Sequence, residues 1–487
     1  MADPGNPARS VPADRARARS FNTGGGDTGG LHAVVLVAVI GFLVATAIGS
    51  LYNIRYLPVA MAFGTLVCVG VLVIRFPVWM SGAWLLLAGT SPEMWLGDLM
   101  PGYENTITAV VKMIGLALAG VCMLRYGARL DMLNPAFAFI GIFVIGFAHG
   151  LFPTLTAMDS VRSLIGSAAP FAFSFSRMSR RWCHTMITAT IWVSPVIVLF
   201  GVLLAGAGLR PLFDNVDGTL RLEGSTHPAF LGGFAMTGVY ASLVELYRDG
   251  RSKHLGAMVI NFLILVATGA RAPLAYALLV TAASFFMLKS VHFPARRRIP
   301  LVLAGMLVLP LGVALATGSS SIRLLTVLSG EASDLSGRDL IWPFFQRAWD
   351  ASPLFGWGVG ASKMVLDPDS LLAKLLGTTA AHNEYLRIGV EGGYFGLGLL
   401  ISMLALWAIR HTRDMRATDR FILRGVFICF AAHSLTDNTL ISATASVLFA
   451  WVSTVFGRAA LERGAEQARP RGRVSAGQRG GDAAQIA

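Results

Sequence analysis

The sequence predicts an all-α, polytopic helical membrane protein of about 12–14 transmembrane helices, and three observations carry that prediction. Hydrophobic residues make up 54% of the 487 residues and charged residues only 14%, with a mean hydropathy of +0.62. Apolar runs near the length needed to cross a hydrocarbon core of about 30 Å recur along the chain. The segments between those runs alternate between dense and sparse in lysine and arginine. A helix closes its backbone hydrogen bonds within itself, as lipid requires, so helices are expected throughout.

The runs fall near 31–51, 57–74, 77–91, 106–124, 133–152, 163–176, 182–208, 229–247, 255–269, 272–289, 299–317, 388–409, 421–436 and 439–457. Those near 77–91, 163–176 and 421–436 are short or polar, so one re-entrant pair would lower the number of crossings without changing its parity. With a cytoplasmic N-terminus, the inner segments collect Arg9 to Arg19, Arg75, Arg125, Arg129, Arg177, Arg180, Arg181, Arg248, Arg251 and Lys253. They also collect Lys289, Arg296 to Arg298, Arg410 to Arg424 and the C-terminal arginines. The positive-inside rule then puts both termini in the cytoplasm.

The net charge of +13 therefore reports topology, and no nucleic-acid partner is expected. Residues 1–30 and 458–487 carry Arg and Gly without an apolar run, and read as disordered cytoplasmic tails rather than a signal peptide. The membrane domain is expected over 31–457. The four cysteines, Cys68, Cys122, Cys183 and Cys429, lie in or at the ends of apolar runs, so neither a disulfide framework nor a thiolate metal site follows.

This orientation leaves two polar outer loops, about 209–228 and about 318–387. A loop as long as the second is uncommon without function or structure of its own. From Asp339 to Asp350 its apolar and aromatic residues recur at helical spacing, which predicts a short amphipathic helix at the membrane interface. Trp342, Trp349 and Trp357 suit that depth.

The outer basic residues oppose the topological bias. They are Arg55, Arg162, Arg210, Arg221, Arg271, Arg323, Arg338, Arg347, Lys363, Lys374 and Arg387. Arg271 stands out, because the turn Thr268-Gly269-Ala270-Arg271-Ala272-Pro273 is too short to carry it far from the membrane boundary; snorkelling is the alternative reading. Arg221 and Arg338 have ordinary partners nearby in Glu223 and Asp339, and the others read as solvated or headgroup-facing. Lys112 lies within a run, snorkelling or paired.

Among the outer histidines, His149 and His433 read as packing residues, and His227, before Pro228, as a helix cap. His382 differs. It closes the long loop beside Asn383 and Glu384, and an imidazole with an ordinary pKa near 6.5 suits a general base. The acids of the loop are scattered without metal-ligand spacing, so a metal-independent reaction without a cofactor is expected.

These residues resemble the O-antigen ligase and O-antigen polymerase superfamily of bacterial envelope enzymes. His382-Asn383, nine residues, Gly393, Tyr394-Phe395 and Gly396 is similar to the histidine-glycine motif of that family's last large outer loop. Arg221 with Gly224 and His227-Pro228, Thr268 to Arg271, Gly337 to Trp342, and Ser352 to Gly360 follow in the family's order. The resemblance runs from about 190 to 400. Ala270 and Ala272 depart from it, standing where Ser and Gly are common.

The resemblance implies a GT-C-like glycosyltransferase with one large extracytoplasmic loop containing short helices. It would sit in the bacterial inner membrane with its site facing the periplasm, and act on a glycan linked to undecaprenyl diphosphate. Arg221, Arg271 and Arg338 are then the candidates to grip the diphosphate, since guanidinium groups stay protonated and bind phosphate oxygens bidentately. His382 is the candidate base of an inverting transfer, oriented by Asn383 or Glu384, while Gly393 and Gly396 let the chain turn and the next helix pack closely.

The acceptor is a further lipid-linked repeat unit for a polymerase, the favoured reading, or lipid A-core for a ligase. Membrane lipids and polysaccharide assembly and export proteins are the other implied partners. A transporter or flippase of lipid-linked sugars is the reading from a different class, and it predicts ionisable residues and broken helices near the bilayer midplane.

Overall fold

The computed structural model describes residues 41, 44, 68–216, 219–302 and 338–468. The expected runs at 31–51, 57–74 and 299–317 lie largely outside the described residues. So do the start of the long loop, the N-terminal tail and residues 469–487. The chain divides into two units, 1–76 and 77–487. In the first, residues 68–75 are helical.

The second unit begins with α1 (Pro77–Gly89), α2 (Pro92–Leu99), α3 (Glu104–Tyr126), α4 (Ala136–His149) and α5 (Ala157–Ala168). A 3-10 turn (Ala169–Phe175) leads to α6 (Arg180–Gly206), then the antiparallel hairpin β1 (Phe213–Val216) and β2 (Thr219–Leu222). Next come α7 (Pro228–Asp249), α8 (Ser252–Ala267) and α9 (Arg271–Met287). After the undescribed segment follow α10 (Arg338–Asp350), a 3-10 turn (Ala361–Met364), α11 (Leu371–Leu376), α12 (Glu384–Thr412), α13 (Ala417–His433) and α14 (Ala443–Ala468).

Among the described residues, α3, α6, α7, α12 and α14 contain segments long and apolar enough to cross a membrane, and α1, α4, α8 and α9 are shorter apolar helices. The chain is a helical polytopic membrane protein, as its composition predicts. The run at 163–176 takes an unexpected form: α5 gives way at Pro170, which has no N–H to donate, to the 3-10 turn. At rises of about 1.5 and 2.0 Å per residue the two together still cover roughly 32 Å.

Helix α7 forms the centre of the bundle, with 83% of its apolar window buried. It packs against α6, α8, α9, α13 and α14. Close approach between helices replaces the hydrophobic drive that lipid cannot supply. Asn261 of α8 donates to the Ile191 carbonyl of α6 at 3.1 Å, a buried polar tie between two helices. Trp407 of α12, fully buried, meets Phe171, Phe427, Phe449 and Phe456 at ring-centroid distances of 4.9–6.3 Å.

The starts of α7, α9, α12 and α14 and the ends of α6, α8 and α13 all lie at one end of this bundle, which is the end that carries His382. The opposite end carries ion pairs: Arg248 with Asp419 and Glu462, Arg458 with Glu245, and His411 with Asp131 at 2.5 Å. Arg458 and Glu462 of these pairs lie on the stretch of α14 from Arg458 to Ala468, where the sequence predicts a tail.

The described part of the long loop is folded. Helix α10 buries Ile341 and Phe345 in a cluster with Leu155, Leu366 and Val390, so its apolar face packs on protein as well as meeting the expected amphipathic pattern. Its tryptophans and that of the following turn brace backbone carbonyls: Trp342 Nε1 to Ala381 at 2.8 Å and Trp357 Nε1 to Ala348 at 2.7 Å.

The loop docks where α12 bends at Gly393 (φ +59°), and there Tyr394 and Phe395 donate to the carbonyls of Pro353 and Leu354 at 2.8 and 3.0 Å. A Cβ on Gly393 would stand 2.3 Å from the Leu354 carbonyl carbon. One on Gly396 would stand 2.9 Å from Ile142 of α4.

Backbone strain of about 1–3 kcal/mol plus that clash makes Gly393→Ala destabilising. The thermal midpoint of the purified variant is expected to fall by several degrees, whereas Gly398→Ala, where a Cβ meets nothing within 4 Å, should leave it unchanged or higher.

Candidate functional site

His382 ends the long loop one residue before the cap of α12, with a left-handed backbone (φ +46°). A non-glycine residue pays about 1–3 kcal/mol for that conformation and keeps it only when its surroundings impose it. Here they do. Trp342 holds the Ala381 carbonyl, Asn383 Oδ1 accepts from the amides of Tyr385 and Leu386 at 3.0 and 3.1 Å, and the Glu384 amide donates to the Ser434 carbonyl at 2.8 Å.

The imidazole is about one third exposed, with Nδ1 3.5 Å from Asp437 Oδ1 and Nε2 3.2 Å from Thr378 Oγ1. Asp437 lies in the 434–442 connection between α13 and α14, and its other oxygen is 3.8 Å from His433 Nε2. Burial pushes this carboxyl up. The hydrogen bond from His382, the charge of His433 and the Asn438 amide outweigh it and hold Asp437 below the ordinary carboxylate range. An ionised Asp437 keeps the His382 proton on Nδ1, which leaves Nε2 as the basic nitrogen.

The sequence offers Asn383 or Glu384 for that orienting role, whereas the structure places Asp437 beside the ring and both of those side chains on other partners. Asn383 caps the helix. Glu384 is buried and bonded to Arg387, which also donates to Glu391 at 2.9 Å; the three side chains are 4%, 4% and 1% exposed. The far oxygen of Glu384 accepts from the Leu440 amide at 3.5 Å, and Glu391 accepts from Ser362 at 2.6 Å. The triad thus ties α12 to the Asp437 connection and to the long loop.

Arg221 lies on β2, opposite Asp214, with its stem 3.8 Å from where a Cβ on Gly269 would stand. Arg271, two residues on, is the first residue of α9. The hairpin therefore brings Arg221 onto the turn that carries Arg271. Tyr276, on the same helix as Arg271, meets the His433 ring at 5.6 Å, so α9 also borders the His433–Asp437–His382 group.

His227 caps α7, accepting from the Ala229 amide at 3.2 Å, as the sequence predicts. Desolvation lowers its pKa despite an exposed edge; Asp214 and Asp437 raise it, and Arg221 and Arg210 lower it. Glu223 bonds Arg210 at 2.7 Å, and burial still raises its carboxyl. Arg338 opens α10, and its side chain lies outside what the structure describes.

Sequence reasoning missed Asp437 and Glu391, and it read Arg387 as a solvated or headgroup-facing charge. Arg387 had a signal, since Glu384 and Glu391 stand three residues before and four after it, the spacing of paired side chains on one helix face. Asp437 had none, because only the return of α13 brings it to His382.

A carboxyl held below its ordinary pKa of about 3.9 stabilises the fold at all pH above that value and stops doing so as pH falls through its folded pKa. Asp437→Asn should therefore lower the thermal midpoint at pH 7, and the gap to the unaltered protein should close below about pH 4.

No curated protein matches the chain. Residues 256–401 match the family model described as O-antigen ligase. The matched segment contains Arg271, the turn at His382, Gly393 and Gly396, and begins after Arg221. That match, on the same residues that build one face of the site, supports the resemblance to the O-antigen ligase and polymerase superfamily.

Proposed function

We propose that this protein transfers a glycan from undecaprenyl diphosphate to an acceptor sugar hydroxyl, polymerising repeat units of a surface polysaccharide. The observation that carries the reading is that the His382–Asp437 pair is linked, through His433 and Tyr276, to the helix that begins at Arg271, whose turn Arg221 covers. The family match supports transfer of the ligase or polymerase type over transport. In this reading the site faces the periplasm from the bacterial inner membrane, and both termini are cytoplasmic.

His382 Nε2 takes the proton of the acceptor hydroxyl as its oxygen attacks the anomeric carbon. The bond from that carbon to the phosphate oxygen breaks, and its electron pair leaves with the diphosphate. Arg221 and Arg271 bind the diphosphate and stabilise the charge that grows on it, a contribution that rises in a site with little water. Arg338 is the third candidate for this role. Attack opposite the leaving group inverts the anomeric centre. Two guanidinium groups supply the positive charge, so the reaction needs no metal.

The ligase reading shares each of these steps and differs in the acceptor, lipid A-core. Complementation of a deletion strain tests the mechanism. His382→Ala should lower product formation by about 10²–10⁴-fold, and Arg271→Ala or Arg221→Ala by about 10²–10³-fold. Normal polymer from both His382→Ala and Arg271→Ala would refute the assignment. Single repeat units accumulating in the deletion strain mark a polymerase, and long unattached chains mark a ligase. Purified enzyme should keep its activity in EDTA; loss that a divalent ion restores would overturn the metal-independent step.

A further inference from the structure

Thr378 and His382 stand four residues apart in the strap that joins α11 to α12, and their side chains meet. Thr378 Oγ1 lies 3.2 Å from His382 Nε2 and accepts from the Ala380 amide at 3.1 Å. The basic nitrogen of a neutral imidazole has a single lone pair, in the plane of the ring. With Asp437 holding the proton on Nδ1, that lone pair accepts from the Thr378 hydroxyl. The nitrogen that would take the acceptor's proton is therefore already occupied by a hydroxyl of the chain itself.

Such a hydroxyl either leaves when the acceptor arrives or stays and hands the proton on. The anchoring of the strap favours the second. Helix α11 ends at Gly377 in a left-handed conformation (φ +63°). Ala373 before the strap and Ala381 within it are both buried in the cluster around Ile341 and Phe345, and Trp342 holds the Ala381 carbonyl. Rotating the hydroxyl away would break both of its bonds, and shifting the strap would pull Ala381 out of the cluster. A purely orienting role is already filled, because Asp437 fixes the ring through Nδ1.

Thr378 also has capacity for one more partner. A threonine hydroxyl donates once and has two lone pairs, and the Ala380 amide takes one of them. The other is left for a sugar hydroxyl. Thr378 is half-buried and the His382 ring about one third exposed, so the pair lies at the surface of the loop rather than in its core.

We propose that Thr378 is a further catalytic residue, which relays the proton of the acceptor hydroxyl to His382. The inference rests on the transfer proposed above and deepens its base step. As the acceptor oxygen forms its bond to the anomeric carbon, its proton passes to Thr378 Oγ1 while the Thr378 proton passes to Nε2. The bond from that carbon to the phosphate oxygen breaks, and its electron pair leaves with the diphosphate. Both protons move together, so the threonine ends as it began and no alkoxide forms. The resulting imidazolium faces Asp437, whose carboxylate offsets its charge.

Initial rates of glycan transfer test the relay, measured with the purified full chain on the lipid extract of the deletion strain, which holds both donor and acceptor. Thr378→Val keeps the shape of the side chain and removes the hydroxyl. Its rate at saturating extract should fall about 10²-fold while the half-saturating amount is unchanged. Thr378→Ser, which restores a hydroxyl at the same place, should keep most of the rate.

A normal rate from Thr378→Val overturns the proposal. So does a loss with Thr378→Ser as deep as with Thr378→Val, or a loss confined to the half-saturating amount. His382→Ala separates this outcome from failure of the transfer reading. A normal rate from His382→Ala removes the base itself, whereas a loss there beside a normal rate from Thr378→Val leaves the base in place and removes the relay alone.

Discussion

The buried triad of Glu384, Arg387 and Glu391 is the constraint on which the His382 end of the bundle depends. Three charges are withdrawn from solvent in the first two turns of α12, and each is satisfied by another. Removing one partner of such a group leaves an uncompensated charge and costs about 3–5 kcal/mol. Two connections hang from it. Glu384 holds the Leu440 amide of the connection that carries Asp437, and Glu391 holds Ser362 of the long loop, beside Lys363.

Strain at His382 follows from the same constraint. Its left-handed backbone is tolerated because both neighbours are pinned, Ala381 by Trp342 and Glu384 by Ser434. The side chain is correspondingly fixed between Thr378 and Asp437. One carboxylate lies between two imidazoles, and His433 in turn rests on Tyr276 of the helix that begins at Arg271. A histidine and an arginine-bearing turn supported by one packed group suit the proposed transfer, in which proton transfer and departure of a diphosphate are coupled.

Ion pairs hold both ends of the bundle. At the end opposite His382, arginines pair with acids across α7, α13 and α14 and lock helix ends together. At the His382 end, the triad of α12 and the Arg210–Glu223 pair are joined by caps and backbone bonds that hold the hairpin, the turn before α9 and the long loop. The central helix α7 connects the two ends and is buried along most of its length.

The fold class was legible in the sequence because apolar length and the need for internal backbone hydrogen bonding are local properties of a segment. The His382 motif, the Arg271 turn and the His227 cap were legible for the same reason: each is a short pattern whose meaning does not depend on distant residues. The break of α5 into a 3-10 turn was half-legible, since Pro170 announces it but the run is apolar throughout.

What only the tertiary structure decided is which charges meet. Asp437 reaches His382 across 55 residues because α12 and α13 run out and back, and Arg221 reaches the Arg271 turn because a hairpin folds over Gly269. Arg387, read from sequence as a solvated charge, is buried because Glu384 and Glu391 share its helix face. Coulomb energy depends on separation in space, and separation in space between segments of a membrane bundle is set by packing, which sequence spacing does not carry.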